Sequence, residues 1–85
     1  MIIMNEKDVL LNNLDRVHTT EMGIERIKKN LSLKNEDAVE YCIKIIKDKD
    51  CIVTKKGKNW YAKLGDCEIT VNRNSYTIIT AHKKS

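Results

Sequence analysis

The two histidines are the residues of this chain best suited to proton transfer near neutral pH. His18 directly precedes a predicted helix, and His82 lies near the end of the last predicted strand. An imidazole with an ordinary pKa of about 6.5 can take up and return a proton at physiological pH. Each also has a structural interpretation: His18 as a helix-cap residue bonded to the backbone, and His82 as part of a frayed terminus. The sequence leaves both interpretations open.

A second candidate site is the basic and aromatic segment 55–61. Lys55, Lys56 and Lys58 surround a glycine, and Trp60 and Tyr61 follow directly. Lysines contact phosphates and an exposed aromatic ring stacks on a base, as in proteins that bind single-stranded RNA. Because side chains alternate along a strand, one of the two aromatic residues must face the core. The competing interpretation makes Trp60 a core anchor and the lysines a solvated hairpin tip.

The positive charge of the chain is concentrated in its second part. The net charge is +4; residues 1–50 carry nine Lys/Arg and ten Asp/Glu, whereas residues 51–85 carry seven and two. Such a field favours an anionic partner, most often a nucleic acid, although surface lysines also keep a small protein in solution. The residues predicted to contact nucleic acid are Lys55, Lys56, Lys58, Trp60, Tyr61, Arg73 and Lys83.

Several other chemistries are not indicated. The three cysteines, Cys42, Cys51 and Cys67, are an odd number without a C-x-x-C pair, so neither a disulfide framework nor a zinc knuckle is expected. The chain contains no P-loop, no G-x-G-x-x-G and no G-x-S-x-G motif. We predict no metal site and no cofactor. The chain also has no apolar run of roughly 18 residues, so we expect a soluble, cytoplasmic protein without a membrane span.

Cap residues and apolar spacing predict three helices before residue 50. The first follows Asn5 over residues 6–15, the second follows Thr19 or Thr20 and closes at residues 29–30, and the third follows Asn35. The residues expected to be buried on these helices are Val9, Leu10, Leu14, Ile24, Ile27, Leu31, Val39, Cys42, Ile43 and Ile46, with Val17 as a further candidate after the first helix. His18, Met22 and Arg26 recur every four residues on a separate stripe.

From residue 51 the apolar period changes to two, which predicts strands over residues 51–55, 59–64, 67–72 and 76–82. Short turns between them indicate an antiparallel meander. The sequence therefore predicts an α+β fold, with three N-terminal helices packed on one face of a four-stranded antiparallel β-meander. The 85 residues form one domain (residues 1–85), with a helical part over residues 5–49 and a sheet part over residues 51–82.

The other face of such a sheet is open, and its lining depends on the last hairpin. A three-residue loop places Thr70, Asn72, Tyr76, Ile78, Thr80 and His82 together. A two-residue loop instead brings Ser75, Thr77 and Ile79 beside Thr70 and Asn72. The sequence does not choose between these registers.

Nearly the whole chain resembles a small bacterial family catalogued as domain of unknown function 3781. The resemblance rests on residues 18–31 (HTTEMGIERIKKNL), 57–61 (GKNWY), 69–72 (ITVN) and 75–83 (SYTIITAHK). It implies no activity, because the family is uncharacterised.

More distantly, helices with a His and an Arg before a four-stranded sheet ending in ITAH resemble the metal-independent ribonuclease toxins that include barnase and the RelE-type proteins. This resemblance implies RNA cleavage on the open face of the sheet. The chain departs from these toxins because it has no evident strand glutamate other than Glu68. The resemblance therefore does not assign the general base. The catalytic candidates by position are His18, Arg26, Tyr76, Thr80 and His82.

Three functions follow from these observations. A ribonuclease would use one histidine, preferably His82, to deprotonate the ribose 2′-OH and the other to protonate the leaving oxygen, with Arg26 and Lys58 on the phosphate and Trp60 or Tyr61 on a base. The second function is a non-catalytic nucleic-acid-binding module. The third is a protein-interaction module whose open face meets another protein or a second copy of the chain.

Overall fold

The computed structural model describes residues 5–83 and confirms the α+β architecture. Its helices are α1 (Glu6–Leu11), α2 (Glu21–Leu31) and α3 (Ala38–Lys47), with a 3₁₀ turn at Leu14–Arg16. Four strands follow, β1 (Ile52–Lys56), β2 (Asn59–Leu64), β3 (Cys67–Asn72) and β4 (Ile78–Lys83). They form one antiparallel sheet in the order β1-β2-β3-β4, which is the predicted meander.

Side-chain caps fix where the three helices begin. The Asn5 carboxamide oxygen accepts a hydrogen bond from Asp8 N at 2.8 Å, and Thr20 Oγ1 accepts one from Gly23 N at 3.0 Å. The cap at Asn5 is confirmed, and Thr20 is the cap among the two predicted alternatives, Thr19 and Thr20. The predicted cap at Asn35 is wrong, because the Asp37 carboxylate accepts from the backbone N–H three residues ahead, at 3.0 Å.

The helix ends differ from the prediction in two places. The first helix stops at Leu11 rather than near residue 15, because the Asn13 carboxamide donates to Val9 O at 2.8 Å and the chain turns into the 3₁₀ segment. Helix α2 continues past residue 30 to Leu31. It ends where Ser32 adopts a left-handed conformation (φ 57°), so that Leu33 N can bond back to the helix.

The core lies between the helices and one face of the sheet. The buried apolar residues of the sheet are Trp60, Ala62, Cys67, Ile69, Val71, Ile78 and Ala81, and Cys51, directly before β1, is buried with them. The buried helical and loop residues that pack on them are Leu10, Val17, Ile27, Leu31, Ala38, Cys42, Ile46 and Tyr76. The predicted apolar positions Val9, Leu14, Ile24, Val39 and Ile43 pack around this core as partly buried residues.

Helix α2 and the segment before it cover the outer edge of β4. Thr19 Oγ1 donates to Ile78 O at 3.0 Å, and the Asn30 carboxamide donates to Ala81 O at 3.2 Å. His18 adds a short parallel bridge with Thr77. These contacts satisfy carbonyl groups that an open edge strand would leave unpaired.

The last hairpin follows neither predicted register. Asn72 and Ile78 are separated by a five-residue loop, and a bulge between Thr70 and Val71 shifts the pairing of β3 with β4. The cause is Asn72, whose side-chain oxygen accepts from two loop N–H groups at 2.9 Å and closes a wider turn. Tyr76 and Ile78, which one register placed on the open face, are therefore core residues, and Ser75, Thr77 and Ile79 do not join that face as a row.

Within residues 5–83, no helix is long and apolar enough to cross a membrane.

Candidate nucleic-acid interface

The open face of the sheet consists of cross-strand rows, because residues paired directly across antiparallel strands point to the same side. The central row, which we call the threonine row, is Thr54, Tyr61, Thr70 and Thr80. The row on one side, the charged row, is Ile52, Lys63, Glu68 and His82. The row on the other side, the amide row, is Lys56, Asn59 and Asn72.

Five of these side chains enclose a concavity of about 300 Å³, the open-face cleft. Its lining residues are Thr54, Lys56, Tyr61, Lys63 and Glu68. Tyr61 is partly exposed and has a lysine toward each end of the cleft. An aromatic ring between two cations can accept a base on the ring and phosphates on the amines.

Glu68 links the charged row. Its Oε2 atom lies 3.4 Å from Lys63 Nζ, and its Oε1 atom lies 3.9 Å from His82 Nε2. The Glu68 side chain is only 19% exposed, whereas that of His82 is 39% exposed. A carboxylate, an imidazole and an ammonium group therefore meet beside the cleft, and groups of these types can act as a general base, a general acid and a stabiliser of negative charge.

The partnership of Glu68 was missed in the sequence. Glu68 stands in an alternating strand, which indicated an outward side chain, but nothing local indicated that His82 lies directly opposite. The bulge between Thr70 and Val71 sets this pairing, and a bulge has no reliable signature in a single sequence.

The predicted pair of histidines is not brought together. His18 Nε2 lies 3.1 Å from Thr77 Oγ1, at the entry to β4, whereas His82 lies five residues further along the chain. At about 3.3 Å per residue this separates the two regions by roughly 16 Å. The ring of His18 is also engaged, since Nδ1 lies 2.9 Å from Arg16 O. The structure thus agrees with the interpretation of His18 as a backbone-bonded residue near a helix cap.

Arg26 is an exposed residue of α2. It lies one helical turn before Asn30, whose carboxamide donates to Ala81 O of β4.

Trp60 is the core anchor of the segment 55–61. It is 1% exposed and its indole N–H donates to a Glu6 carboxylate oxygen at 2.8 Å. Of the two residues predicted as alternatives for stacking on a base, Trp60 is therefore the one that faces the core, and Tyr61 is the aromatic residue on the open face. Tyr76 is likewise buried, with its ring centroid 5.5 Å from that of Trp60 and the Arg16 guanidinium 4.4 Å from its own centroid.

The remaining predicted cations are spread around the sheet. Lys58 lies in the turn after β1, and its carbonyl accepts from Arg73 N at 2.8 Å, so both residues stand at one end of the sheet. Arg73 Nε is 3.5 Å from a Glu6 carboxylate oxygen, in an ion pair whose geometry does not form a hydrogen bond. Lys55 is exposed at the end of β1, and Lys83 ends β4 opposite Cys67.

The cysteines behave as core residues. All three are free and buried. Burial raises the pKa of Cys42 to about 12 and also raises the pKa values of Cys51 and Cys67. Among the described residues, no group of three His, Cys, Asp or Glu side chains is arranged to hold a metal ion.

Comparison with known proteins identifies a family and no activity. The model of a family described as "Protein of unknown function (DUF3781)" matches residues 11–82. This match confirms the family resemblance found in the sequence. No curated protein and no solved structure matches the chain, so the resemblance to ribonuclease toxins has no support from these comparisons.

Proposed function

We propose that this chain, which belongs to the family described as protein of unknown function (DUF3781), binds single-stranded RNA on the open face of its sheet. The observation that carries the proposal is the open-face cleft, in which Tyr61 lies between Lys56 and Lys63. Stacking on an aromatic side chain is worth about 1–3 kcal/mol per base, and it needs an unpaired base. The cleft therefore favours a single strand over a duplex.

The threonine row supports RNA as the ligand. Thr54 and Thr80 flank the positions of Tyr61 and Thr70 in one line across all four strands. A hydroxyl group can donate and accept, so it can hydrogen-bond a ribose 2′-OH or a base edge. The lysines then supply the sequence-independent part of the affinity through the phosphates.

The test is binding of a fluorescein-labelled, mixed-sequence RNA strand, measured by fluorescence anisotropy over a range of salt concentrations. We expect Tyr61→Ala to weaken binding by about 5- to 150-fold, whereas Tyr61→Phe keeps the ring and most of the affinity. Lys56→Ala and Lys63→Ala should each weaken binding and lower the salt slope by about 0.7, the value for one lost phosphate contact on a single strand.

Lys44 supplies the matched control. It is an exposed lysine on α3, which packs against the other face of the sheet. Lys44→Ala removes the same charge from the chain and should leave the affinity nearly unchanged. Equal losses for Lys44→Ala and Lys63→Ala would show that only net charge matters and would overturn the cleft as the binding site. No binding even at low salt would instead favour the protein-interaction function.

The Glu68–His82 pair favours a second candidate function, cleavage of the bound RNA. An ionised Glu68 would take the proton of the ribose 2′-OH as its oxygen attacks the adjacent phosphorus. His82 in its protonated form would give a proton to the departing 5′-oxygen, which leaves a 2′,3′-cyclic phosphate and a 5′-hydroxyl. Lys63 would stabilise the negative charge that develops on the phosphate oxygens. Here Glu68 takes the role of base that the sequence analysis preferred for His82, and His82 takes the role of acid that it gave to His18.

A further inference from the structure

A chain of hydrogen-bonded hydroxyl groups connects Ser75 to His18. It lies next to the start of β4, away from the Glu68–His82 pair near the end of that strand. Thr77 Oγ1 lies 3.1 Å from His18 Nε2, and Ser75 Oγ donates to Thr77 Oγ1 at 2.8 Å. We call these three side chains the hydroxyl relay. Ser75 and His18 are exposed, and Thr77 is partly buried between them.

Hydrogen-bond chemistry fixes the direction of the relay. The Arg16 carbonyl 2.9 Å from His18 Nδ1 can only accept, so Nδ1 must carry the proton. In the neutral ring Nε2 is then an acceptor, and the Thr77 hydroxyl donates to it. Thr77 Oγ1 in turn accepts from Ser75. The Ser75 hydroxyl has a second acceptor in the Asn72 carboxamide oxygen, at the longer distance of 3.2 Å.

The backbone holds the relay in place. His18 N donates to Tyr76 O at 3.1 Å, and Ile78 N donates to His18 O at 2.7 Å, so the histidine is attached on both sides of Thr77. Tyr76 itself has a φ of 60°, a left-handed conformation that is uncommon for a bulky residue. Such strain persists only where the surroundings impose it, and it concentrates at functional sites.

The surroundings that impose it are the buried contacts of the Tyr76 ring. The ring lies against Trp60 on one side and under the Arg16 guanidinium, so Tyr76 cannot relax without leaving the core. Ser75 and Thr77 are the residues before and after it. The buried Tyr76 thus fixes its two neighbours, whose hydroxyl groups form the chain to the exposed His18 imidazole.

We propose that Ser75 is a nucleophile and that the hydroxyl relay makes the chain an esterase toward small carboxylic esters. Ser75 Oγ forms a bond to the ester carbonyl carbon while its proton passes to Thr77 Oγ1 and the Thr77 proton passes to His18 Nε2. The bond from the carbonyl carbon to the alkoxy oxygen then breaks, and the departing alcohol takes the proton from His18. Water hydrolyses the acyl-serine by the same path, so that ester and water give acid and alcohol.

The roles of the three residues differ. Ser75 forms the covalent bond to the substrate, His18 is the base that then protonates the departing alcohol, and Thr77 is the positioning residue that relays the proton between them. The geometry has the three elements of an activated nucleophile. Ser75 supplies an exposed hydroxyl, and His18 is a base that it reaches through the Thr77 hydroxyl. The Arg16 carbonyl orients the His18 ring. It shares no residue with the open-face cleft, so this activity is independent of RNA binding.

A fluorophosphonate probe carrying an alkyne tests the nucleophile on the full chain. Its reaction forms a bond between Ser75 Oγ and phosphorus, releases fluoride and leaves the proton on His18. Peptide mass mapping should place the label on Ser75, and Ser75→Ala should remove it. The matched control is Ser32, which is also an exposed serine in a turn of the chain. It lies at the end of α2. Ser32→Ala should label like the wild type.

Variants of Thr77 and His18 test whether labelling depends on the relay or only on the exposure of Ser75. Thr77→Val keeps the shape and removes the hydroxyl, so we expect at least about a tenfold slower labelling, while Thr77→Ser restores it. His18→Gln removes the base at the end of the relay, so it should slow labelling about as much as Thr77→Val does. Hydrolysis of p-nitrophenyl acetate should follow the same order of variants, and thermal melting shows which variants remain folded. Labelling that persists in Ser75→Ala, or an unchanged rate in a folded Thr77→Val, would overturn the proposal.

Discussion

Glu68 Oε1 lies 3.9 Å from His82 Nε2 across the pair of strands β3 and β4. The two residues are fourteen positions apart in the chain and directly opposite in the sheet. Glu68 is the less exposed partner, and Lys63 approaches its other oxygen. This contact brings a carboxylate and an imidazole together on the open face, away from His18.

The first prediction concerns RNA cleavage by this pair. Glu68→Gln keeps the size of the side chain and removes the base, and His82→Gln removes the acid. If the chain cleaves RNA, each variant should reduce the rate by about 10²- to 10⁴-fold, the usual contribution of one general acid or base. End-labelled RNA incubated with purified protein in EDTA, and separated on a denaturing gel, measures both rate and products.

His18→Gln is the control for this prediction, because His18 lies near the other end of β4. It should cleave at the wild-type rate. A loss in His18→Gln as large as that in His82→Gln would contradict the assignment of the acid–base pair to Glu68 and His82. Products without a 2′,3′-cyclic phosphate would contradict the mechanism.

The fold was largely predictable because its signals are local. The caps at Asn5 and Thr20 need only residues three positions ahead, and alternation alone located β2 and β3. The predictions that were wrong depended on competition between neighbours. Asp37 displaced Asn35 as a cap because several polar residues stand before α3, and the sequence does not rank their hydrogen bonds.

The candidate site was less predictable because it depends on strand register. Tyr61 and Trp60 had to face opposite sides, but only the packing of the core shows that Trp60 is the buried one. The Glu68–His82 contact requires the bulge in β4, where Ile79 is the extra residue opposite Thr70 and Val71, and the burial of Tyr76 requires a left-handed residue that is not glycine. Both are exceptions to local preference that tertiary contacts impose.

The second prediction tests how closely α2 approaches its own N-terminal segment. A Cβ on Gly23 would overlap Thr19 Oγ1, the atom that donates to Ile78 O. Although alanine has the better helix propensity, by about 1 kcal/mol, we expect Gly23→Ala to lower the free energy of unfolding by about 1–3 kcal/mol. Urea unfolding followed by circular dichroism measures the change.

A double-mutant cycle identifies the cause of that loss. Thr19→Ala alone should cost about 1 kcal/mol, since it removes one hydrogen bond to β4. In the Thr19→Ala background the oxygen that clashes is absent, so Gly23→Ala should cost much less or stabilise the helix. Equal costs of Gly23→Ala in both backgrounds would show that the two residues do not interact.

The third prediction uses the positive φ of Tyr76. At this position Tyr76→Gly and Tyr76→Ala both lose the buried ring, but only glycine adopts a φ of 60° without strain. We expect the glycine variant to be the more stable of the two by about 1 kcal/mol. Guanidinium unfolding of the two variants provides the comparison.

Tyr41 provides the opposite case within the same chain. It lies in the interior of α3, where glycine is less favourable than alanine by about 1 kcal/mol. Tyr41→Gly should therefore be less stable than Tyr41→Ala. If alanine is the more stable substitution at both positions, Tyr76 does not hold a left-handed conformation in solution.

The last prediction concerns stability at alkaline pH. Burial raises the pKa of Cys42 to about 12, whereas a cysteine in the unfolded chain ionises near about 8.5. Between these values the unfolded chain loses the Cys42 proton and the folded chain keeps it. Because ionisation then favours the unfolded state, the contribution of Cys42 is fully present below about pH 8.5 and is lost as the pH rises toward 12. The loss is at most about 1.4 kcal/mol per pH unit.

Cys42→Ala isolates this effect, because the lysines and tyrosines that also titrate at high pH are the same in both proteins. The variant should be less stable than the wild type at about pH 8, since it leaves a small cavity beside Ile46 and the sheet. As the pH rises to about 10.5 the difference should shrink, because only the wild type retains the thiol that ionises on unfolding. Urea unfolding at both pH values, under a reducing agent, measures the difference. A difference that stays constant with pH would mean that the Cys42 thiol titrates alike in the folded and unfolded chains.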